Sequence, residues 1–450
     1  MILLPSGGKM VTICGDKVSE LVTEQIGKTN TTEQQDSTVP VVPSLPGRTP
    51  ATGSIASLPR GINRDTVEEF WDDNILSQLI ESCSAESPRR FSHALGRFLQ
   101  TQEPIWLTKS ASSALTQLLR SLRSPEKTSV LLCNFNCPLV PDAAMQAGFE
   151  VDTFDVADVT GRVDWEAIAD RLCERHAAII VPHLFGVPAD FSPVCRKASS
   201  LGIYVIEDCA HTLGGTIGGR MAGTVGDAAI FSFGYDKPFS LGGGGAALLN
   251  NPQLAAKTNF IEQTITLQDE RNELSAFRQF LSIRRREIRG VWLPCRLWRR
   301  ILAKLGLYRP VRYAGATAIG PLRAALGIWL LEHYTDIADR RGRNANLLRG
   351  LTGCIDWHVG ATVKPAWLKA KIVPKNPQES SRIAQLLQRR GWRAGMFNWP
   401  RTVQEHLGRP DDSHAQVLAK HALDVPIHQA MSEVELMQIR AILESGYSNA

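Results

Sequence analysis

Between residues 113 and 260 the apolar positions follow two alternating rhythms. SALTQLLRSLRS spaces its leucines three and four apart, which predicts a helix, and TSVLLCNF follows as an apolar run, which predicts a strand buried on both faces. CPLVPDAAMQAG and FEVDTFDV repeat the pair, as do WEAIADRLCERH and AAIIVPHLF. FSPVCRKASSLG predicts a helix ending at glycine, before the strand IYVIEDCA. DAAIFSFG and GGAALLN are two further strands with no helix between them. Strands alternating with helices of this length predict a three-layer α/β domain whose central sheet is mostly parallel and becomes mixed at its end.

The pattern restarts near PLRAALGIWLLEHYTDIADRRGRNANLLRGL, a long bent helix linking two units. WLKAKIVP and WRAGMFNWP then read as strands, and ESSRIAQLLQRRGW and SEVELMQIRAILESG as helices. Residues 62–345 are therefore expected to form a large α/β domain and 346–450 a small α+β domain. Residues 1–61 are expected to be a flexible tail, because Thr, Ser, Pro and Gly dominate 29–60. Asp65 or Thr66 would cap a helix carrying VEEFWDDNILSQLI. Residues 278–309 stand apart, with nine arginines and one lysine against one glutamate, interleaved with Trp292, Leu297 and Trp298. This basic insertion reads as a helix packed on the main body, as a peripheral helix on an anionic membrane, or as a nucleic-acid contact.

Composition narrows these readings. The 450 residues are 43% hydrophobic and 21% charged, which is globular. A formal charge of +5 does not mark a nucleic-acid protein, and no nucleic-acid partner is expected. Nine scattered cysteines form neither a disulfide framework nor a metal site, so no metal is expected. The start of the chain lacks the order of a secretion signal, and no apolar run reaches the ~18 residues of a spanning helix. The expected compartment is the cytoplasm, with peripheral membrane contact through 278–309 as the variant reading.

Four loops open at predicted strand ends. In SASSAL, Ser112 and Ser113 suit either a helix cap or a phosphate cup at a helix start. His183 in HLFG suits ligand contact or a structural role equally. Asp208 and His211 close the strand IYVI, where a carboxylate is costly unless it meets a cation or a strong donor. Lys237 lies five residues after Ser232 and just before GGGG. A partly desolvated lysine forms imines with carbonyl compounds, a nearby serine suits a phosphate, and a buried aspartate suits a protonated ring nitrogen.

HLFGVPAD at 183–190, VIEDCAHTLGGTIGGRMAGTVGDAAIFSF at 205–233, the Ser232-to-Lys237 spacing and DVPIHQAMSEVEL at 424–436 resemble the DegT/DnrJ/EryC1/StrS family of pyridoxal-phosphate enzymes. These are mostly sugar aminotransferases of fold type I, and the resemblance covers roughly residues 62–445. It implies a homodimer binding pyridoxal 5'-phosphate, with Lys237 as Schiff-base lysine and proton carrier and Asp208 as partner of the pyridine nitrogen. It places His211 near the cofactor hydroxyl, Ala111, Ser112 and Ser232 at the phosphate, and His183 at an active-site histidine. Cys137 occupies the usual position of a ring that stacks on the cofactor, which leaves Phe135 as the candidate for that role. Ala316 and Ala318 stand where the family often has Asn-x-Arg.

The expected function is transfer of an amino group, from glutamate, to a keto-sugar, nucleotide-linked in the main reading. A cyclitol or lipid-linked sugar is the alternative acceptor. A catalytically degenerate structural or regulatory relative is the third reading.

Overall fold

The computed structural model describes Leu79 and residues 82–234, 237–258, 319–352, 354–375, 379–390, 392, 395–396, 399–429 and 431–445. The expected tail at 1–61, the helix of VEEFWDDNILSQLI apart from Leu79, the basic insertion at 278–309, and Ala316 and Ala318 lie outside the described residues.

Five apolar runs build the middle of the molecule. They are β2 (Ser129–Cys133), β3 (Glu150–Phe154), β4 (His176–Pro182), β5 (Tyr204–Asp208) and β8 (Ala228–Ser232), all mutually parallel. A short strand β1 (Ile105–Thr108) and a late strand β9 (Gly245–Leu249) complete seven strands in the order β1-β9-β8-β5-β4-β2-β3. β9 runs antiparallel to both its neighbours, so the sheet is mixed where the sequence placed two successive strands without a helix. Alternate residues serve opposite faces. Leu131, Ile179, Val181 and Val205 enter one core, and Val130, Leu132, Ala178, Ile180 and Ile206 enter another. Burial on both faces is why these strands read as unbroken apolar runs.

Helices α1 (Ser87–Phe98), α2 (Ala111–Arg120), α3 (Leu139–Gln146), α4 (Trp165–Asp170), α5 (Ser192–Ser200) and α6 (Pro252–Lys257) precede α7 (Pro321–Leu347), which runs for 27 residues. Gly327 lets α7 lie against α1, since a Cβ there would sit 2.5 Å from the Phe91 ring. Beyond α7 a smaller α+β region has an antiparallel sheet ordered β10 (Cys354–Asp356), β12 (Ala370–Pro374), β14 (Leu423–Val425) and β13 (Gly395–Met396). Helices α8 (Glu379–Arg389), α9 (Val403–His406), α10 (His414–His421) and α11 (Glu433–Ser445) accompany it. Buried Arg341 ties α7 to this region by donating to the Trp367 carbonyl at 2.7 Å, to Gln429 Oε1 at 3.1 Å and to the Leu368 carbonyl. A third sheet pairs β11 (Val363–Lys364) with the hairpin β6 (Thr216–Ile217) and β7 (Arg220–Met221).

Two elements differ from the sequence expectation. IWLT at 105–108 is a strand that four residues were too few to announce. The helix in WEAIADRLCERH stops at Asp170. Of the strand expected in WRAGMFNWP, Gly395–Met396 is the part described. Among the described residues no helix is long and apolar enough to cross a membrane.

The topology also fixes where a ligand can enter. β3 lies on one side of β2 and β4 on the other, so their connections leave in opposite directions. A crevice opens at the carboxyl ends of the strands at such a point.

Candidate active site

Ser232, Asp208 and His183 end or follow β8, β5 and β4, so topology alone brings them to one edge of the sheet. Because β9 runs backwards, its first residue, Gly245, arrives at the same edge, paired with Ser232 on one side and Thr108 on the other. Gly242, Gly243 and Gly244 have φ of 72°, 144° and 93°, a region that side chains disfavour. Gly245 needs its lack of a side chain for space, since a Cβ would lie 2.4 Å from the Ala111 nitrogen and 2.8 Å from the Phe231 carbonyl oxygen. The glycine run thus lets the start of α2 close against the end of β8.

The start of α2 is a capped helix N-terminus, which suits an anion. Ser110 caps the helix by accepting the Ser113 N–H at 3.1 Å, and Ser113 Oγ accepts the Ser110 N–H at 3.0 Å. The first two helical N–H groups, on Ala111 and Ser112, have no acceptor within the helix. Ser112 Oγ lies 3.0 Å from Ser110 Oγ. On the far side of Gly245, Ser232 Oγ accepts the Gly234 N–H at 3.4 Å. Ser112, Ser232, Lys237 and His211 are all partly exposed, as residues lining an opening must be.

Asp208 is 8% exposed, and the Ala210 N–H, 3.1 Å from Oδ1, donates its carboxylate's hydrogen bond among the described residues. Burial raises its pKa; the Ala210 amide and the charge of Lys237 oppose that rise without cancelling it. The group is a buried carboxylate in want of a cationic donor.

Two expected site residues sit deeper. His183 is 1% exposed, and both ring nitrogens have protein partners: Nδ1 accepts the Ala189 N–H at 2.9 Å, and Nε2 donates to Glu207 Oε2 at 2.9 Å. It supports the strand end instead of lining the crevice, and its backbone N–H donates to the Asp208 carbonyl at 3.1 Å. Phe135 is likewise 1% exposed, its ring packed near Phe185, Trp357 and, edge-on, Trp399. A ring so covered presents no face for cofactor stacking, so the expectation for Phe135 is replaced by membership of this aromatic cluster.

The sequence reading missed Glu207. Burial alone would raise its pKa, but the hydrogen bond from His183, with the Gly226 and Gly223 amides, outweighs burial and holds it below the usual carboxylate range. Its oxygens accept the N–H groups of Gly223, Val225 and Gly226 at 2.7–2.8 Å. These partners lie 16 to 19 residues downstream, so spacing gave no sign of them. His183, Glu207 and Cys209 lie close enough to resemble a metal set, but these bonds already engage the imidazole and the carboxylate.

Residues 77–444 match the DegT/DnrJ/EryC1/StrS aminotransferase family. The chain belongs to that family. It is 28% identical over 152 residues to an uncharacterised protein of Methanocaldococcus jannaschii, covering 34% of this chain and 39% of that protein. It is 31% identical over 140 residues to a UDP-N-acetyl-3-dehydro-alpha-D-glucosamine 3-aminotransferase of Acidithiobacillus ferrooxidans, covering 31% and 38%. The chain thus spans under half the length of these curated relatives. The fold matches Helicobacter pylori PseC, an aminotransferase involved in the biosynthesis of pseudoaminic acid, with a TM-score of 0.66, 15% identity and coverage of 87% of this chain and 100% of that one.

The residues present fit the cofactor of a DegT/DnrJ/EryC1/StrS protein. Asp208 is under-supplied with donors where a protonated ring nitrogen would supply one. The start of α2 and the Ser232 hydroxyl flank Gly245, where a Cβ would crowd the Ala111 nitrogen, and a helix start beside a hydroxyl suits a phosphate.

Proposed function

We propose that the protein transfers an amino group from a small-molecule donor to a keto-sugar, using pyridoxal 5'-phosphate. Asp208 carries this reading: it is a buried carboxylate with a raised pKa, within the field of Lys237, at the edge where the α2 amides and Ser232 lie. When bound, the cofactor supplies an electron sink for negative charge at the carbon that loses its proton. Asp208 keeps the ring nitrogen protonated. Ala111 and Ser112, through their N–H groups, and Ser232, through its hydroxyl, hold the phosphate. Lys237 would hold the aldehyde through its amine and, once an incoming donor amine had displaced it, would carry the proton at the reacting carbon. His183 acts from beneath, steadying the end of β5 through Glu207 and through its own backbone N–H.

The finer reading takes glutamate as the donor and a nucleotide-linked sugar as the acceptor, supported by the family resemblance and by the UDP-sugar relative. It includes a cytoplasmic homodimer. Purified protein mixed with pyridoxal phosphate is expected to gain a visible absorption band that Lys237→Ala lacks. Absence of that band from the wild type refutes the cofactor reading. Glutamate should then convert the bound cofactor to its amine form. Retention of the band with every amino donor would favour a degenerate relative.

A further inference from the structure

The loop after β4 and a tryptophan from the C-terminal region converge on His211. Phe185 has φ 58° and ψ 19°, a left-handed conformation that a phenylalanine holds only where its surroundings impose it. The chain at 366–368 imposes it: the Phe185 carbonyl accepts the Leu368 N–H and the Gly186 carbonyl accepts the Ala366 N–H, both at 2.8 Å. At Gly186, also left-handed, a Cβ would lie 2.1 Å from the Ala366 oxygen. In this conformation the Phe185 N–H donates to His211 Nδ1 at 3.3 Å. An amide N–H cannot accept, so Nδ1 is the acceptor nitrogen of a neutral His211 and Nε2 bears the proton. Trp399 lies nearly parallel to the His211 ring, 13° from it with centroids 5.5 Å apart, and limits its rotation. Charged groups nearby among the described residues include Asp208, three residues before His211, Lys237, whose charge acts on Asp208, and Lys371, whose ammonium lies 4.3 Å from the Phe185 ring centroid and bonds to Asp424.

We propose that Phe185 and Trp399 are positioning residues that hold His211 as an Nε2–H donor to the anionic ring oxygen of the cofactor. The C-terminal region then sets the tautomer and orientation of a residue on the central sheet. The donor role rests on the pyridoxal-phosphate reading; the tautomer does not.

Two measurements on the full chain separate these parts. In cofactor-free protein labelled with ¹⁵N at its histidines, the His211 signals, assigned by their loss in His211→Phe, should report a protonated Nε2 and a bare Nδ1. A protonated Nδ1 overturns the proposal, and the wild-type spectrum decides this even if a variant fails to fold. In the cofactor-loaded protein, a donor to an anionic oxygen favours the deprotonated state of the chromophore. Its loss should therefore raise the pH midpoint of the visible band by roughly one unit. His211→Phe and Trp399→Leu should both do so, and the double variant should go no further than His211→Phe. Trp399→Phe, which keeps an aromatic face, should restore most of the shift. A shift in His211→Phe with none in Trp399→Leu overturns the positioning role of the tryptophan. A wild type that never gains a visible band refutes the cofactor reading and the donor role with it, leaving the NMR result to judge the tautomer.

Discussion

At the end of β5 two adjacent carboxylates are driven in opposite directions. Glu207 takes three amide N–H groups and an imidazole N–H, and stays ionised despite complete burial; Asp208 has one amide and is pushed toward protonation. The strand alternation that sends their side chains to opposite faces explains why adjacent acids meet such different neighbours. Glu207→Gln should cost about 2–4 kcal/mol, because an amide group would place a donor against an N–H that now finds an acceptor. The folded-state pKa of Glu207 is depressed, so its stabilisation is fully present above its unfolded value of about 4.3 and is lost as pH falls through the folded value. Urea midpoints measured down the acid limb should therefore fall less steeply in Glu207→Gln than in the wild type; parallel curves would contradict the assignment. Asp208 and Lys237 were legible in the sequence because their chemistry is unusual at a strand end and before a glycine run. Glu207 was hidden because its partners arrive from a separate loop.

The glycine run and α2 illustrate how an element, and not a side chain, makes a site. Neither the four glycines nor the serines before α2 is informative alone, and for SASSAL taken alone a helix cap was the favoured reading over a phosphate cup. The antiparallel entry of β9 joins them, since it alone brings Gly245 between Ser232 and Thr108. Gly245→Ala should lower affinity for pyridoxal phosphate at least tenfold and destabilise the protein by about 1–3 kcal/mol, because the atoms the methyl would meet are all backbone. Equilibrium dialysis and thermal unfolding read the two effects; wild-type affinity would show that the close approach is not needed for the cradle. The long apolar strands were legible because they are buried on both faces. β1 was not, because a four-residue strand is held by its partners more than by its own pattern.

Across the whole molecule, the segment 399–414 is fastened to the far edge of the main sheet. Asn134 donates to Asp411 Oδ2 at 3.0 Å and to Ser413 Oγ at 2.9 Å, and accepts the N–H groups of Val403 and Gln404 at 2.9 Å. Arg409 donates to the Val151 carbonyl at 3.0 Å, and His406 lies 2.7 Å from Asp142. Burial works against the Asp411 charge, but bonds from Thr402, Ser413 and Asn134 outweigh it and lower the pKa. Asn134→Ala should cost about 2–3 kcal/mol and open residues 399–414 to limited proteolysis, with a less than additive effect when combined with Asp411→Ala. Strictly additive losses would dissolve this fastening into independent contacts. Such long-range ties, like the Trp399–His211 stack, leave no local signature in the sequence. The strand order also sets a timetable for synthesis. β1 leaves the ribosome before the other six strands of its sheet, yet its partner there is β9. The α2 amides therefore wait, without their glycine wall, until Leu249 has been made, and a nascent chain cut short of Gly245 carries Ser232 and Lys237 but no cradle.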